Sequence, residues 1–439
     1  MFEFPKISTY DPVTSSDGSL DPLGLYLIAD RLATKLAPGI RQRMSHPRYL
    51  TAMALGAHIC YPFYDTYASD GFSPAYQVFE WHIVEGFTSK YFKSDPDQIQ
   101  GLPGIQKATD AFQDNLPLRA SRYLKTPNVF GFHGVYRTLS TEIRVVSDDY
   151  NMLEVGDELL KALQEEKGLN GVYTGSGPWR DKVQRFRKGI QQSMEKGEVA
   201  NGWYWKIHQE FASLLRPNQV GKKEAKVILR ALRSETQPLR RQMIDFLLAE
   251  NGQNAWKTIR SEKVFMAALK KQANGELQEL INVIEYYERF ARTFQDAFDA
   301  CLFKMSKTGK ATLDQLAMLP AVHNAMEEMP KVFSKIETGL VIYDLHHDFI
   351  RNYGSFEAKH TAKDWVMTMW EHHYKIQRSK GKIGKRNWFE RTDDGTFRIY
   401  TSTTMQREPE MKDEFLHNYR AQPLWSFLVN LKLVEDGEE

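Results

Sequence analysis

Between Glu276 and Ser306 the apolar residues return every three or four positions: Leu280, Ile281, Ile284, Tyr287, Phe290, Phe294, Phe298 and Leu302. That step matches 3.6 residues per turn, so the spacing predicts one amphipathic helix of about thirty residues, roughly 45 Å long. Such a stripe cannot be buried by its own helix and demands others around it. No motif repeats at a fixed period, so the partners are not the stacked units of a solenoid.

The rest of the chain supplies those partners. After an extended lead-in over 1–21, Leu25, Ile28, Leu32 and Leu36 recur at helical steps, and Pro38-Gly39 stops the helix. The expected fold class is mostly α and multi-domain: helical bundle segments, a winged helix-turn-helix-like module and a C-terminal β-hairpin. The expected parts are a helical domain over 1–100, the winged-helix-like module over 101–175, a helical domain with the spine helix over 176–360, and a helix and hairpin module over 361–439. Tyr61, Phe63, Tyr64, Tyr67 and Phe72 are read as core aromatics, with a platform for stacking bases as the alternative.

The module over 101–175 rests on element order. Helices are predicted near Ile105 to Asn115 and Phe130 to Ile143, with the short piece Arg119 to Lys125 between them. Val145-Val146 and Met152 to Val155 then flank the turn Ser147-Asp148-Asp149. In a winged helix the last helix enters the major groove and the ribbon touches the backbone. His133, Arg137 and Arg144 would then face phosphates or base edges. The acidic ribbon tip argues instead for a protein-binding module.

Composition matters mainly through charge. Lys plus Arg number 58 and Asp plus Glu 56, so bulk charge does not favour a polyanion and any such role is local. One segment stands out. Tyr374 to Arg391 holds Lys375, Arg378, Lys380, Lys382, Lys385, Arg386 and Arg391, with Glu390 its only acid, and Trp388 follows Gly381 and Gly384. Cations interleaved with glycine and aromatics suit contact with a phosphate backbone. The expected partner is therefore DNA.

Other chemistries have weaker signals. Asp344, His347 and Asp348 have spacings that could share a metal if they lay on one helix, which keeps a metal-dependent nuclease as an alternative. Asp348 followed by Glu357-Ala358-Lys359 resembles the carboxylate and lysine set of restriction-type nucleases, but neither sits in a strand-like run. The chain lacks Gly-x-Ser-x-Gly, Gly-x-Gly-x-x-Gly and a P-loop, so no cofactor is expected and the chain reads as more likely not an enzyme. Only two cysteines, Cys60 and Cys301, exclude a disulfide framework. With no leader peptide and no long apolar run, the expected location is the cytoplasm, with no membrane contact.

Two stretches carry a resemblance. Leu23-Gly24-Leu25 with Ala29-Asp30, Ala37 to Arg41 and His46 to Leu50 form the first, and Gly384 to Glu390 forms the second. They resemble uncharacterised proteins encoded beside helicases and nucleases in bacterial antiphage defence islands. The resemblance implies an accessory subunit working next to DNA, with a helicase or nuclease as protein partner. It brings no catalytic residue with it. A scaffold that binds only proteins is the remaining alternative.

Overall fold

The spine forms as its spacing predicts. In the computed structural model, which describes residues 21–99, 101–257, 259–380, 384–400, 405–410 and 412–436, helix Gly275–Thr308 runs for 34 residues and buries Leu280, Ile281, Ile284, Tyr287, Phe290, Phe294, Phe298 and Leu302. Helix Pro320–Leu340 lies along it in the opposite direction. Gly339 sits beside Val283, Lys335 over the Tyr286 ring, and Glu328 pairs with Arg289. A Cβ on Gly339 would stand 2.4 Å from Val283 Cγ2, so only glycine permits this approach. Pro330 is accommodated within the second helix.

Contacts divide the chain into two units, each built from two separate stretches. One comprises 1–36 and 259–419, the other 37–258 and 420–439. The spine belongs to the first.

In that first unit the residues leading into helix Tyr26–Leu36 are held by their carbonyls. Tyr287 donates to Leu25 O at 2.6 Å and Tyr353 to Gly24 O at 2.7 Å. His372 lies 2.8 Å from Leu23 O, and His373 Nδ1 lies 2.9 Å from Pro22 O. Asp21 accepts from the N–H groups of Leu25 and Tyr26, filling the open donors at the helix start. The two histidines come from helix Ala362–Ser379, whose buried side also carries Trp365, Val366 and Met369.

The β signal of the sequence is borne out and enlarged. Phe389–Arg391 (β2) and Phe397–Ile399 (β3) form the expected hairpin, turned at Gly395 with φ +78°. A third strand, Lys310–Ala311 (β1), adds to it in the antiparallel order β1-β3-β2. Lys310, Arg398 and Glu390 lie opposite one another across the strands.

The second unit is built around helix Ala75–Tyr91, which is buried on nearly every side from Gln77 to Thr88. Helices Arg48–Cys60, Phe132–Glu142, Pro178–Lys196 and Lys206–Leu214 pack on it. Gly86 lets the last of these close in, since a Cβ would meet His208 O at 2.4 Å. Burying so much of one helix leaves its polar groups to be satisfied inside. Glu85 accepts from Leu118 N–H at 2.7 Å, and Ser193 Oγ accepts from His82 Nε2 at 2.9 Å.

Several expectations need correction. The aromatic run after Cys60 is not core: Tyr61, Tyr67 and Phe72 are 73, 61 and 64 % exposed. The spacing over Trp256 to Lys271 predicts one helix, but it is broken between helices Glu250–Lys257 and Glu262–Lys270, where Arg260 has φ +51°. Phe415 to Leu431 reads as a closing helix, but that helix begins at Ala421, because the N–H groups of Leu416 and His417 turn to the Glu288 carboxylate instead of a helical ladder. In the 101–175 stretch the helices fall in the expected order, but the ribbon is one isolated bridge, Val146 to Met152. Both cysteines are buried, free thiols. No helix among the described residues is long and apolar enough to cross a membrane.

Burial holds His208, His372 and His373 at about 4, and also holds His82 well below the usual imidazole value. These folded values lie below the usual 6.5, so the unfolded chain binds more protons between the two. Stability should therefore fall as pH drops from about 6.5 towards 4, by on the order of 3 kcal/mol per histidine at the acid end. Urea midpoints measured from pH 7.5 to 4.5 check this, and His372→Gln should flatten part of the slope.

A candidate nucleic-acid interface

The segment 374–391 starts on the last turn of helix Ala362–Ser379. The inner side of that turn buries Ile376 and Gln377, so Tyr374, Lys375 and Arg378 are left outward. The Arg378 guanidinium lies over the Tyr374 ring, 5.2 Å from its centroid. Lys375 donates to the Arg351 carbonyl at 3.3 Å. Lys380 turns inward instead: its ammonium donates to the Asp21 carbonyl, and burial lowers its pKa. Lys382, with Gly381, lies outside the described residues.

Beyond that point the chain doubles back. Gly384 has φ +77°, and Lys385 N–H donates to Gln377 O at 2.8 Å. The left-handed backbone explains the glycine. The Arg386 guanidinium lies over Tyr400, 3.7 Å from the ring centroid, at cation–π distance. Trp388 points the other way. Its ring lies 5.9 Å from that of Phe298, and its backbone N–H donates to His373 Nε2 at 3.0 Å. Arg391 ends β2, an edge strand, and is exposed.

His373 organises this turn. Its Nδ1 faces a carbonyl and must donate, while its Nε2 accepts from Trp388, so the ring is neutral in one tautomer. The depressed pKa follows from burial first and the neighbouring charges of His372 and Lys380 after it. Phe389 stacks on the same ring, 5.5 Å away and nearly parallel.

Among the described residues, exposed cations elsewhere are matched in places, as in Arg144–Glu154, Lys223–Glu165 and Lys363–Asp314, and without an ion pair in others, as at Lys35, Arg185 and Lys188. Among the described residues no carboxylate forms an ion pair with Lys375, Arg378, Lys385, Arg391 or Arg398. Arg398 was not foreseen as part of the site. Its signal was the alternation Phe397-Arg398-Ile399, which sends the arginine outward from a strand whose other side faces the core.

The remaining candidates lie elsewhere. His133 is buried, with Nδ1 2.8 Å from Glu80 Oε2, which corrects the expectation that it faces solvent. The same carboxylate takes the Tyr123 hydroxyl at 2.6 Å and the N–H groups of Phe132 and His133. Helix Phe132–Glu142 is thus fixed by its first turn, and fully exposes only Arg137 and Thr138. Arg137 covers the Tyr150 ring at 5.5 Å and donates to Asp148 O. Arg144 is engaged by both oxygens of Glu154.

The proposed metal ligands do not converge. Asp344 lies before helix His346–Tyr353 with φ +56°, so it is not one turn upstream of His347. Asp348 pairs with Arg351 at 2.5 Å. No group of three or more His, Cys, Asp or Glu side chains among the described residues could hold an ion.

No family model fits the chain, and neither a curated protein nor a solved structure matches it.

Trp388 packs inward, so Trp388→Ala should lower stability by roughly 2–4 kcal/mol. Chemical denaturation measures the loss.

Proposed function

We propose that this chain binds nucleic acid through the basic edge spanning 374–398, as a non-enzymatic accessory subunit. The observation that carries the reading is a cluster of cations without carboxylate partners among the described residues: the exposed Lys375, Arg378, Arg391 and Arg398 and the half-buried Lys385. What supports the reading is their density: they crowd into one short stretch of a nearly neutral protein. The Arg378 and Arg386 guanidinium groups over Tyr374 and Tyr400 favour the same reading, because a guanidinium carries five N–H donors and can fork onto phosphate oxygens.

The resemblance to defence-island proteins supports DNA as the polyanion, with a helicase or nuclease as a neighbouring subunit and the cytoplasm as the setting. The winged-helix reading of 101–175 adds little to this. Its helix is anchored at its first turn, and its ribbon is a single bridge between Val146 and Met152.

The test is fluorescence anisotropy of the full chain with duplex and single-stranded DNA and with RNA, over a salt series. Binding at low salt should be micromolar or tighter. The logarithm of affinity should fall with the logarithm of salt by about 0.9 for each phosphate held on duplex DNA. Reversing Lys375, Arg378, Lys385 and Arg391 to Glu should remove most of that slope. Unchanged binding in that variant sinks the reading. DNA cleavage with Mg²⁺ that is lost in His347→Ala would replace it with the nuclease.

A further inference from the structure

A second cationic feature lies in the other unit. A groove of about 720 Å³ runs between the end of helix Phe132–Glu142, the start of helix Glu154–Lys167 and helix Lys222–Leu232 with the turn that follows it. Arg144, Lys226, Arg230, Arg233 and Arg241 line it. Ile143, Val155, Leu229 and Ala231 add apolar groups to the lining.

The arginines are held from outside the groove. Glu154 and Glu158, one turn apart on helix Glu154–Lys167, take Arg144 and Arg230. Asp245 on helix Pro238–Leu248 faces two others, Arg233 at 2.7 Å and Arg241 at 3.8 Å. None of these three carboxylates lines the groove. A carboxylate engages at most two of the five N–H donors of a guanidinium, so each arginine is positioned while keeping donors to offer. Lys226 has no ion-pair partner among the described residues.

Two acids do line the groove. Glu142 is engaged by the buried Arg240, and Glu235 stands 93 % exposed at the rim, 3.7 Å from Arg241. The hydroxyls of Ser234 and Thr236, 2.9 Å apart, add short polar groups to the wall.

A lining that combines apolar side chains with pre-positioned guanidinium groups fits a weakly polar body bearing several negative charges. We infer that the groove between 142–155 and 226–241 is a binding site for a phosphorylated nucleoside. The volume lies within the range of small-ligand pockets, and arginine forks match phosphate oxygens two at a time. The ligand is either a free nucleotide or the 5′-phosphorylated end of a strand, which share this chemistry. The inference does not depend on the basic edge at 374–398, which belongs to the first unit.

Isothermal titration of the full chain tests it with ATP, AMP, inorganic phosphate and a 5′-phosphorylated oligonucleotide beside its unphosphorylated form. Saturable binding of ATP or AMP assigns a free nucleotide. Binding of the phosphorylated oligonucleotide in preference to its unphosphorylated form assigns a strand end. Either should weaken at least about tenfold in Lys226→Glu and in Arg233→Glu, with thermal unfolding checking that both variants fold. Leu229→Asp should also weaken it, by putting a like charge into the apolar part of the lining. Reversal of the four cations at 375–391 should leave nucleotide affinity unchanged. Phosphate binding as tightly as AMP, nucleotide binding indifferent to Lys226 and Arg233, or no binding at millimolar ligand would each overturn the assignment.

Discussion

Two buried carboxylates do much of the work of holding long loops against long helices. Glu80 and Glu288 sit on the most buried helix of their respective units. Each accepts a histidine Nδ1, a tyrosine hydroxyl and two consecutive backbone N–H groups. Glu80 takes His133, Tyr123 and the amides of 132–133; Glu288 takes His417, Tyr419 and the amides of 416–417. A carboxylate has about four lone-pair sites, so both are saturated. Removing either would strand four donors at once in a region that water does not reach. The same pattern in both units explains why a helix start near 132 and a helix that begins only at 421 are defined so sharply.

Local pattern made some of this legible and not the rest. The spine helix and the 389–399 hairpin were visible because period 3.6 and period 2 are properties of neighbouring residues. The third strand was not, since two residues at 310–311 carry no alternation of their own. Nor could the sequence reveal that His133 is buried, because its partner Glu80 lies 53 residues upstream. The aromatics at 61–72 misled for the converse reason: hydrophobicity ranks them as core, yet the helix they follow has already filled its apolar side with Leu50, Met53, Leu55 and Ile59.

The basic segment was legible as charge and illegible as shape. In the sequence Lys380, Arg386 and Trp388 belong to one basic and aromatic run. In the fold Lys380 is drawn to a backbone carbonyl, Arg386 lies over a tyrosine, and the half-buried Trp388 packs against Phe298. The imidazole of His373 links these fates. It fastens residue 22 on one side and residue 388 on the other, so the geometry of the exposed cations depends on a proton that the core keeps away.

The interleaving of the two units also has a consequence for synthesis. The carbonyl of Pro22 waits for His373, 351 residues later. At about 5–20 residues per second, roughly 20–70 s pass between the two leaving the ribosome. Through that interval helix Tyr26–Leu36 has an apolar side and nothing of its own unit to cover it, which makes the nascent chain a natural client for a chaperone. For the same reason no single cut in the polypeptide releases either half whole.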